Sequence, residues 1–287
     1  MEISTVGVCG AGAMGTGIAH VAAQAGFRVI LMDMELPRVQ QSIARMDALM
    51  QKAVAKGKLT EGERTATLSR ITPASDAGAM SDADFVIEAV FEDLAVKKEL
   101  FARLDRVCRP GVVLASNTSS MSITEIGTAT KRPEQVVGMH FFNPVQVMKL
   151  VEVIHGFQTA DATAEAALDM ARRLGKTAVR VRKDTPGFVV NRILMPMMAE
   201  AIRVVEEGIA TPEEVDTAIT LGLNHPMGPF ELIDFAGIDV CYNVMEYFHS
   251  EFRRPEYAPP LLLKQMVRSG QYGRKSGKGF RGEYPQP

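Results

Sequence analysis

The chain is short of net charge, of cysteine and of long apolar runs, and each shortage removes a class of function. Its 287 residues hold 32 basic and 34 acidic side chains, a formal net charge of -2. A general nucleic-acid or anionic-membrane binder needs a concentrated positive surface, which this balance argues against while leaving a local basic patch open. The three cysteines, Cys9, Cys108 and Cys241, stand far apart, cannot all pair and lack the close spacing of a zinc site. They read as reduced thiols of a cytoplasmic protein with no metal centre. No apolar stretch reaches the roughly 18 residues of a spanning helix. The opening M-E-I-S-T carries no basic stretch and passes straight into a strand-like run, so no secretion signal is expected. Repeats and low-complexity segments are missing too. What remains, 46% hydrophobic and 23% charged residues, is an ordinary globular composition with length for about two domains.

The densest information sits near the start. V-G-V-C-G-A-G-A-M-G (Val6 to Gly15) runs an apolar strand into a glycine-spaced turn that opens a helix. In this G-x-G-x-x-G pattern Gly10 permits the sharp turn, Gly12 lets backbone approach a pyrophosphate, and Gly15 lets the helix pack on its strand. Gly10, Ala11, Gly12, Ala13, Met14 and Gly15 thus form the face toward a bound dinucleotide. The helix N-terminus offers unpaired N–H groups and about half a positive charge to the phosphates, so the loop needs no basic side chain. A second apolar strand, R-V-I-L-M-D, ends at Asp33, 18 residues beyond Gly15 and close to the roughly 20-residue spacing expected for a carboxylate on the ribose 2′-hydroxyl. That carboxylate would repel a 2′-phosphate, which favours NAD over NADP.

Beyond Asp33, strand-like and helical stretches alternate, with apolar strands at Phe85 to Ala89, Val112 to Ala115, Val136 to His140 and Leu150 to Ile154. The alternation predicts a Rossmann-type α/β fold with a doubly wound, mostly parallel sheet. Leu36 to Lys58 reads as a long polar helix and Thr60 to Arg70 as a polar return, so residues 36-70 form an excursion from the pattern. After Ala178 to Val181 the alternation stops at K-D-T-P-G-F, where Thr185 as N-cap and Pro186 at the first helical position would start a new helix. The domain boundary is placed there, with 1-184 as the dinucleotide domain and 185-287 as an all-helical domain. The latter carries helical patterns at Gly187 to Glu207, kinked at Pro196, and at Thr211 to Leu221.

Six further stretches carry a resemblance: L-A-S-N-T-S-S (Leu114 to Ser120), G-M-H-F-F-N-P-V (Gly138 to Val145), K-L-V-E-V (Lys149 to Val153), T-P-G-F-V-V-N-R (Thr185 to Arg192), H-P-M-G-P-F-E-L (His225 to Leu232) and G-R-K-S-G-K-G-F (Gly273 to Phe280). With the glycine turn they span essentially the whole chain in order. The sequence resembles the NAD-dependent 3-hydroxyacyl-CoA dehydrogenases, most closely their compact bacterial 3-hydroxybutyryl-CoA type. One departure is Arg281 after G-K-G-F, where the family usually has tyrosine; it bears on how the tail packs.

The resemblance implies reversible oxidation of an (S)-3-hydroxyacyl-CoA to the 3-oxoacyl-CoA. Oxidising a secondary alcohol needs a group that takes the hydroxyl proton while hydride leaves, and a neutral imidazole suits that at cytosolic pH. His140 is the candidate base, at the C-terminal end of a strand where ligands bind in open parallel sheets, with Phe141, Phe142 and Pro144 keeping water away. Glu152 lies in an apolar run where a carboxylate is costly unless paired, so a partner such as the imidazole is expected. A core histidine beside an edge-strand glutamate would read the same way from spacing alone. By resemblance Ser119 and Asn191 orient the substrate, Ser119 also touching the cofactor. Ser122 and Glu125 form an S-x-x-E capping box that accounts for a different serine of that run. Asn191 brings polar atoms and poor helix propensity into an apolar stretch, which capping would also explain.

By resemblance too, Glu92, Lys97, Asn143 and Lys275 contact NAD, although a solvated helix start and a mobile tail are the plain alternatives. Coenzyme A carries a 3′-phosphate and a pyrophosphate, so lysines are expected outside the dinucleotide site. Lys52 and Lys56, four apart on the polar helix, would share a face for them; a merely solvated face is the alternative. Clustered methionines such as Met195 to Met198 fit a core or subunit interface better than a cofactor box. Family members dimerise through the helical domain, so a homodimer is expected. Two other readings stay open. One is a dehydrogenase of a free hydroxy acid or sugar acid, as in the gulonate dehydrogenase and lambda-crystallin relatives; the other is a non-catalytic NADH-binding protein.

Overall fold

The structure, a computed structural model, describes residues 3–285. Within them the chain forms two compact units, the first ending at Thr185 and the second beginning at Pro186. The first unit runs β1 (Thr5–Cys9), α1 (Ala13–Gln24), β2 (Arg28–Met32), α2 (Leu36–Ala55), α3 (Glu61–Ser69), β3 (Ile71–Ala74), β4 (Phe85–Glu88), α4 (Leu94–Val107), β5 (Val113–Ser116), α5 (Ile123–Gly127), β6 (Val136–Phe141), β7 (Leu150–Ile154), α6 (Asp161–Arg173) and β8 (Thr177–Val181). The strands form one sheet in the order β3-β2-β1-β4-β5-β6-β7-β8. Strands β1, β4, β5 and β6 are buried along their whole length, as apolar runs covered by helices on both faces must be. Val6, Val8, Leu31, Phe85 and Ile87 pack there with Ile18 and Ala22 of α1 and with Ala167 of α6.

All pairings in this sheet are parallel except one, β6 against β7. The eight residues 142–149 between these strands carry no helix, and a parallel return needs a crossover of about a dozen residues or more. The short link therefore sends β7 back alongside β6. One consequence sits at the heart of the site, because the reversal sets His140 directly opposite Glu152.

The excursion after β2 is two helices rather than one helix and a polar return. α2 stops at Ala55, Lys56 caps it, and Gly57 follows at φ 66. α3 then starts from a full capping box between Thr60 and Glu63, and Arg64 Nε donates to Asp47 Oδ1 at 2.6 Å, tying it to α2. A second expectation is corrected at α5. Ser122 accepts from Glu125 N as an N-cap, but the reciprocal half of the box does not form: the Glu125 carboxylate lies 3.4 Å from Lys98 Nζ.

The second unit comprises α7 (Val190–Glu206), α8 (Pro212–Leu223), α9 (Pro229–Ala236), α10 (Ile238–Phe252), α11 (Leu261–Arg268) and a small hairpin of β9 (Lys278–Gly279) and β10 (Gly282–Glu283). Thr185 and Pro186 do not open a helix. Pro186 to Val189 form a turn in which Gly187 has φ 74 and Phe188 φ 52, left-handed values that no α-helix contains, so helix begins only at Val190. Met195, Met198, Ile202, Phe230, Met245 and Phe248 form the core of this unit. The hairpin packs through Asp234, which is fully buried and accepts from Phe280 N (2.9 Å), Arg281 N (3.0 Å) and Tyr284 Oη (2.8 Å). The Arg281 guanidinium lies 3.6 Å from both Asp216 and Glu231, so the arginine is held by carboxylates where an aromatic ring was expected.

Candidate active site

The glycine turn between β1 and α1 has the three properties a phosphate cradle needs. Gly10 sits at φ 109, closed to other residues, and a Cβ on Gly15 would collide with the Gly10 carbonyl oxygen, so the helix start packs directly on the turn. A Cβ on Gly12 would meet nothing within 4 Å, which leaves open space beside the α1 N-terminus. No side chain caps that terminus, so its first N–H groups remain available to an anion. Asp33 follows β2 and is anchored to the turn, its Oδ2 accepting from Ala11 N at 2.9 Å. These features fit a dinucleotide, which needs open backbone and free N–H groups at a helix start for its pyrophosphate and a fixed carboxylate for a ribose hydroxyl.

At the ends of β4 and β5 lies an ionic chain in which Glu88 and Lys97 are buried and Glu92 is exposed. Glu88, fully buried, accepts from Lys97 Nζ (2.6 Å), Val90 N (2.8 Å) and Ser116 Oγ (2.6 Å). Lys97 also reaches Glu92 Oε2 at 3.1 Å. Glu92 Oε1 in turn accepts from Thr118 Oγ1 (2.5 Å), Ser119 N (2.9 Å) and Ser119 Oγ (3.2 Å). Burial pushes the Glu92 carboxyl up, but the Lys97 ammonium and the Thr118 and Ser119 hydrogen bonds outweigh that and hold it below its ordinary value. Lys97 is thus no solvated helix-start lysine. It is 1% exposed with its charge spent on two carboxylates, and its link to Ser119 runs through Glu92.

His140 and Glu152 meet across the antiparallel pair, Nδ1 to Oε2 at 2.8 Å, with the residues 6% and 1% exposed. A carboxylate accepts but cannot donate, so Nδ1 carries the proton and Nε2 is the basic nitrogen of the ring. Phe142 lies on the imidazole, centroids 4.5 Å apart. Phe141 does not share in this cover, since strand alternation sends it into the sheet core, and Pro144 is exposed. Asn117 Oδ1 accepts from Phe141 N at 2.9 Å and ties the β5 end to β6 beside His140.

The other candidate residues are placed as follows. Asn143 is exposed in the turn after β6 and Asn191 half-buried in the first turn of α7. Lys52 is exposed in the last turn of α2 and Lys56 just past it. Lys275 sits in a short turn of the second unit with Nζ 2.6 Å from Asp239 and 5.5 Å from the Tyr272 ring centroid, so it is tethered. Sequence reasoning missed Glu88 and Asn117, and it also missed two arginines of α2 at the glycine turn. Arg45 Nη2 donates to Ala11 O at 3.2 Å, and Arg38 Nη1 lies 3.8 Å from Asp33. Glu88 carried the same signal as Glu152, a carboxylate inside an apolar run. Among the described residues no helix is long and apolar enough to cross a membrane.

Comparison with known proteins finds one family across the chain. Residues 5–185 match the family description "3-hydroxyacyl-CoA dehydrogenase, NAD binding domain" and residues 187–283 match "3-hydroxyacyl-CoA dehydrogenase, C-terminal domain". A probable 3-hydroxybutyryl-CoA dehydrogenase of Bacillus subtilis is 48% identical over 280 residues, covering 98% of this chain and 97% of the relative. The human mitochondrial hydroxyacyl-coenzyme A dehydrogenase is 43% identical, over 97% of this chain and 90% of its own. The crystal structure of (S)-3-hydroxybutyryl-CoA dehydrogenase from Ralstonia eutropha superposes with a TM-score of 0.97 at 43% identity, covering 99% of this chain and all of that one.

Proposed function

The chain belongs to the 3-hydroxyacyl-CoA dehydrogenase family, and from that premise we propose that it catalyses the reversible NAD-dependent oxidation of (S)-3-hydroxyacyl-CoA, foremost 3-hydroxybutyryl-CoA, to 3-oxoacyl-CoA. The observation that carries the proposal is the cross-strand pair of His140 and Glu152 at 2.8 Å. His140 Nε2 takes the proton of the 3-hydroxyl as the C3–H bond breaks. Glu152 holds the ring in that tautomer and stabilises the imidazolium that forms. When bound, NAD supplies the acceptor for the hydride. In the reverse direction the imidazolium returns its proton to the 3-oxygen. The Phe142 ring, tilted 48° against the imidazole with centroids 4.5 Å apart, adds an apolar wall beside it.

Ser119, held by Glu92, and Asn191 orient the 3-oxygen and the thioester carbonyl in this proposal. Asp33, Glu92, Asn143 and Lys275, with Lys97 acting through Glu92, serve the cofactor. The polar helices of residues 36–70 take the coenzyme A phosphates through Lys52 and Lys56, and residues 185–287 carry the surface through which two copies pair. The test is NADH oxidation with acetoacetyl-CoA and free acetoacetate compared side by side. Turnover confined to the thioester is the expected result. Equal turnover of the free acid would remove coenzyme A from the proposal, and turnover of neither with NADH still bound would remove the catalytic role.

A further inference from the structure

Ser119 lies in residues 117–122, which join β5 to α5, and carboxylates from elsewhere in the chain hold this loop at both ends. At the front, Glu92 Oε1 accepts from Thr118 Oγ1 and from Ser119 N and Oγ. At the back, one oxygen takes two donors: Asp184 Oδ2 accepts from Ser122 Oγ at 2.6 Å and from Thr124 N at 2.7 Å. Ser122 Oγ accepts in turn from Glu125 N, so the hydroxyl carries the hold into the start of α5. Between the two ends Met121 N donates to Thr118 Oγ1 at 3.0 Å and draws the loop in on itself. The loop is therefore short, closed and doubly anchored.

Asp184 comes from far along the chain. It follows β8, 60 residues beyond Thr124, and precedes Thr185, the last residue of the first unit. The seating of α5 does not depend on it, because Ile123 and Ile126 are buried in their own right. What the carboxylate adds is direction. Bonds to an ionised acceptor are roughly twice as strong as neutral ones, and without this one the Ser122 hydroxyl is free to turn among its staggered positions. A reacting group displaced by about 1 Å loses about 10²-fold in rate. We propose that Asp184 is a positioning residue for the reaction: it sets the back end of the loop as Glu92 sets the front, and so fixes Ser119 against the 3-oxygen of the substrate. This rests on Ser119 orienting the substrate, as proposed above, and the test separates the two. Since a single oxygen accepts both donors, the Oδ1 of an asparagine can replace it, whereas leucine, of similar size, offers no acceptor.

The kcat and KM for acetoacetyl-CoA with NADH are measured for the wild type, Asp184→Asn, Asp184→Leu, Ser119→Ala and Ser119→Ala combined with Asp184→Leu. Asp184→Leu should lower kcat about tenfold or more, while Asp184→Asn keeps it within about threefold of the wild type. In the Ser119→Ala background Asp184→Leu should cost less than about twofold further, because the residue it positions is already gone. Should Asp184→Leu not fold, Ser122→Ala, which removes one of the two donors, takes its place in the same cycle. An equal loss of kcat with and without Ser119 would overturn the proposal, as would an asparagine variant no better than the leucine one. If Ser119→Ala itself leaves kcat unchanged, Ser119 does not orient the substrate, and that reading falls together with this one.

Discussion

A histidine with a carboxylate on Nδ1 has a single useful tautomer, and that is the economy of the His140 and Glu152 pair. Both side chains are buried, so each needs the other: an unpaired carboxylate inside the sheet would cost several kcal/mol. His140→Ala should therefore lower turnover of acetoacetyl-CoA by about 10²- to 10⁴-fold while NADH still binds, as a fluorescence titration would register; unchanged turnover would remove His140 from the base role. The same reasoning applies to Lys97, whose single charge is shared between Glu88 and Glu92. Lys97→Met leaves two carboxylates without their cation and should cost about 3–5 kcal/mol in urea unfolding. A loss below about 1 kcal/mol would show that the chain from Glu88 to Ser119 is not held by charge. Glu88 and Glu152 sit in apolar runs, so the sequence shows that each needs a partner. Which partner each finds depends on strand pairing that no local pattern contains.

Among the elements, the β6 to β7 link does the most for the site. A crossover in that place would have made β7 parallel and changed which residues face His140. The loop's shortness was readable, and the reversal followed from it; the general alternation of strands and helices obscured it. The N-terminal ends of β1 and β4 are joined by a different device. Asp84 accepts from Ser4 N and Thr5 N (both 2.9 Å) and from Arg109 Nη2 (2.7 Å). Burial raises its carboxyl, but the Ser4, Arg109 and Thr5 donors prevail and bring it from the usual 3.8 down to about 2. A folded-state value below the unfolded one stabilises the fold above about pH 3.8, and that contribution is lost as pH falls toward 2. Asp84→Asn should thus cost about 1–2 kcal/mol at pH 7 after allowance for screening. Chemical melts of the two proteins should converge by about pH 2, and a constant gap across that range would assign the effect to packing instead.

Across the whole molecule, each unit has its own core, and the second leaves large apolar side chains on its surface. Leu221 and Leu223 at the end of α8 are 81% and 60% exposed, and Ile209 before it is 68% exposed, more than chance scatter asks for on one short stretch. If this is where two copies pair, light scattering should give twice the 31.3 kDa chain mass, and Leu221→Glu with Leu223→Glu should halve it without lowering NADH affinity; a wild-type monomer would remove the pairing. The sequence by itself determined the dinucleotide turn, the parallel sheet and the family, because these rest on local spacing: glycines that admit a sharp turn, apolar runs of strand length, and motifs kept in order. The start of α7 escaped it, since a left-handed Phe188 after Gly187 has no side-chain signature. So did the tail, where Arg281 satisfies Asp216 and Glu231 from far along the chain. The arginines at the glycine turn, the chain from buried Glu88 and Lys97 to Glu92, and the meeting of His140 with Glu152 were decided only by the tertiary structure. Each depends on which distant segments the sheet order brings together, and charge finds its partner through space.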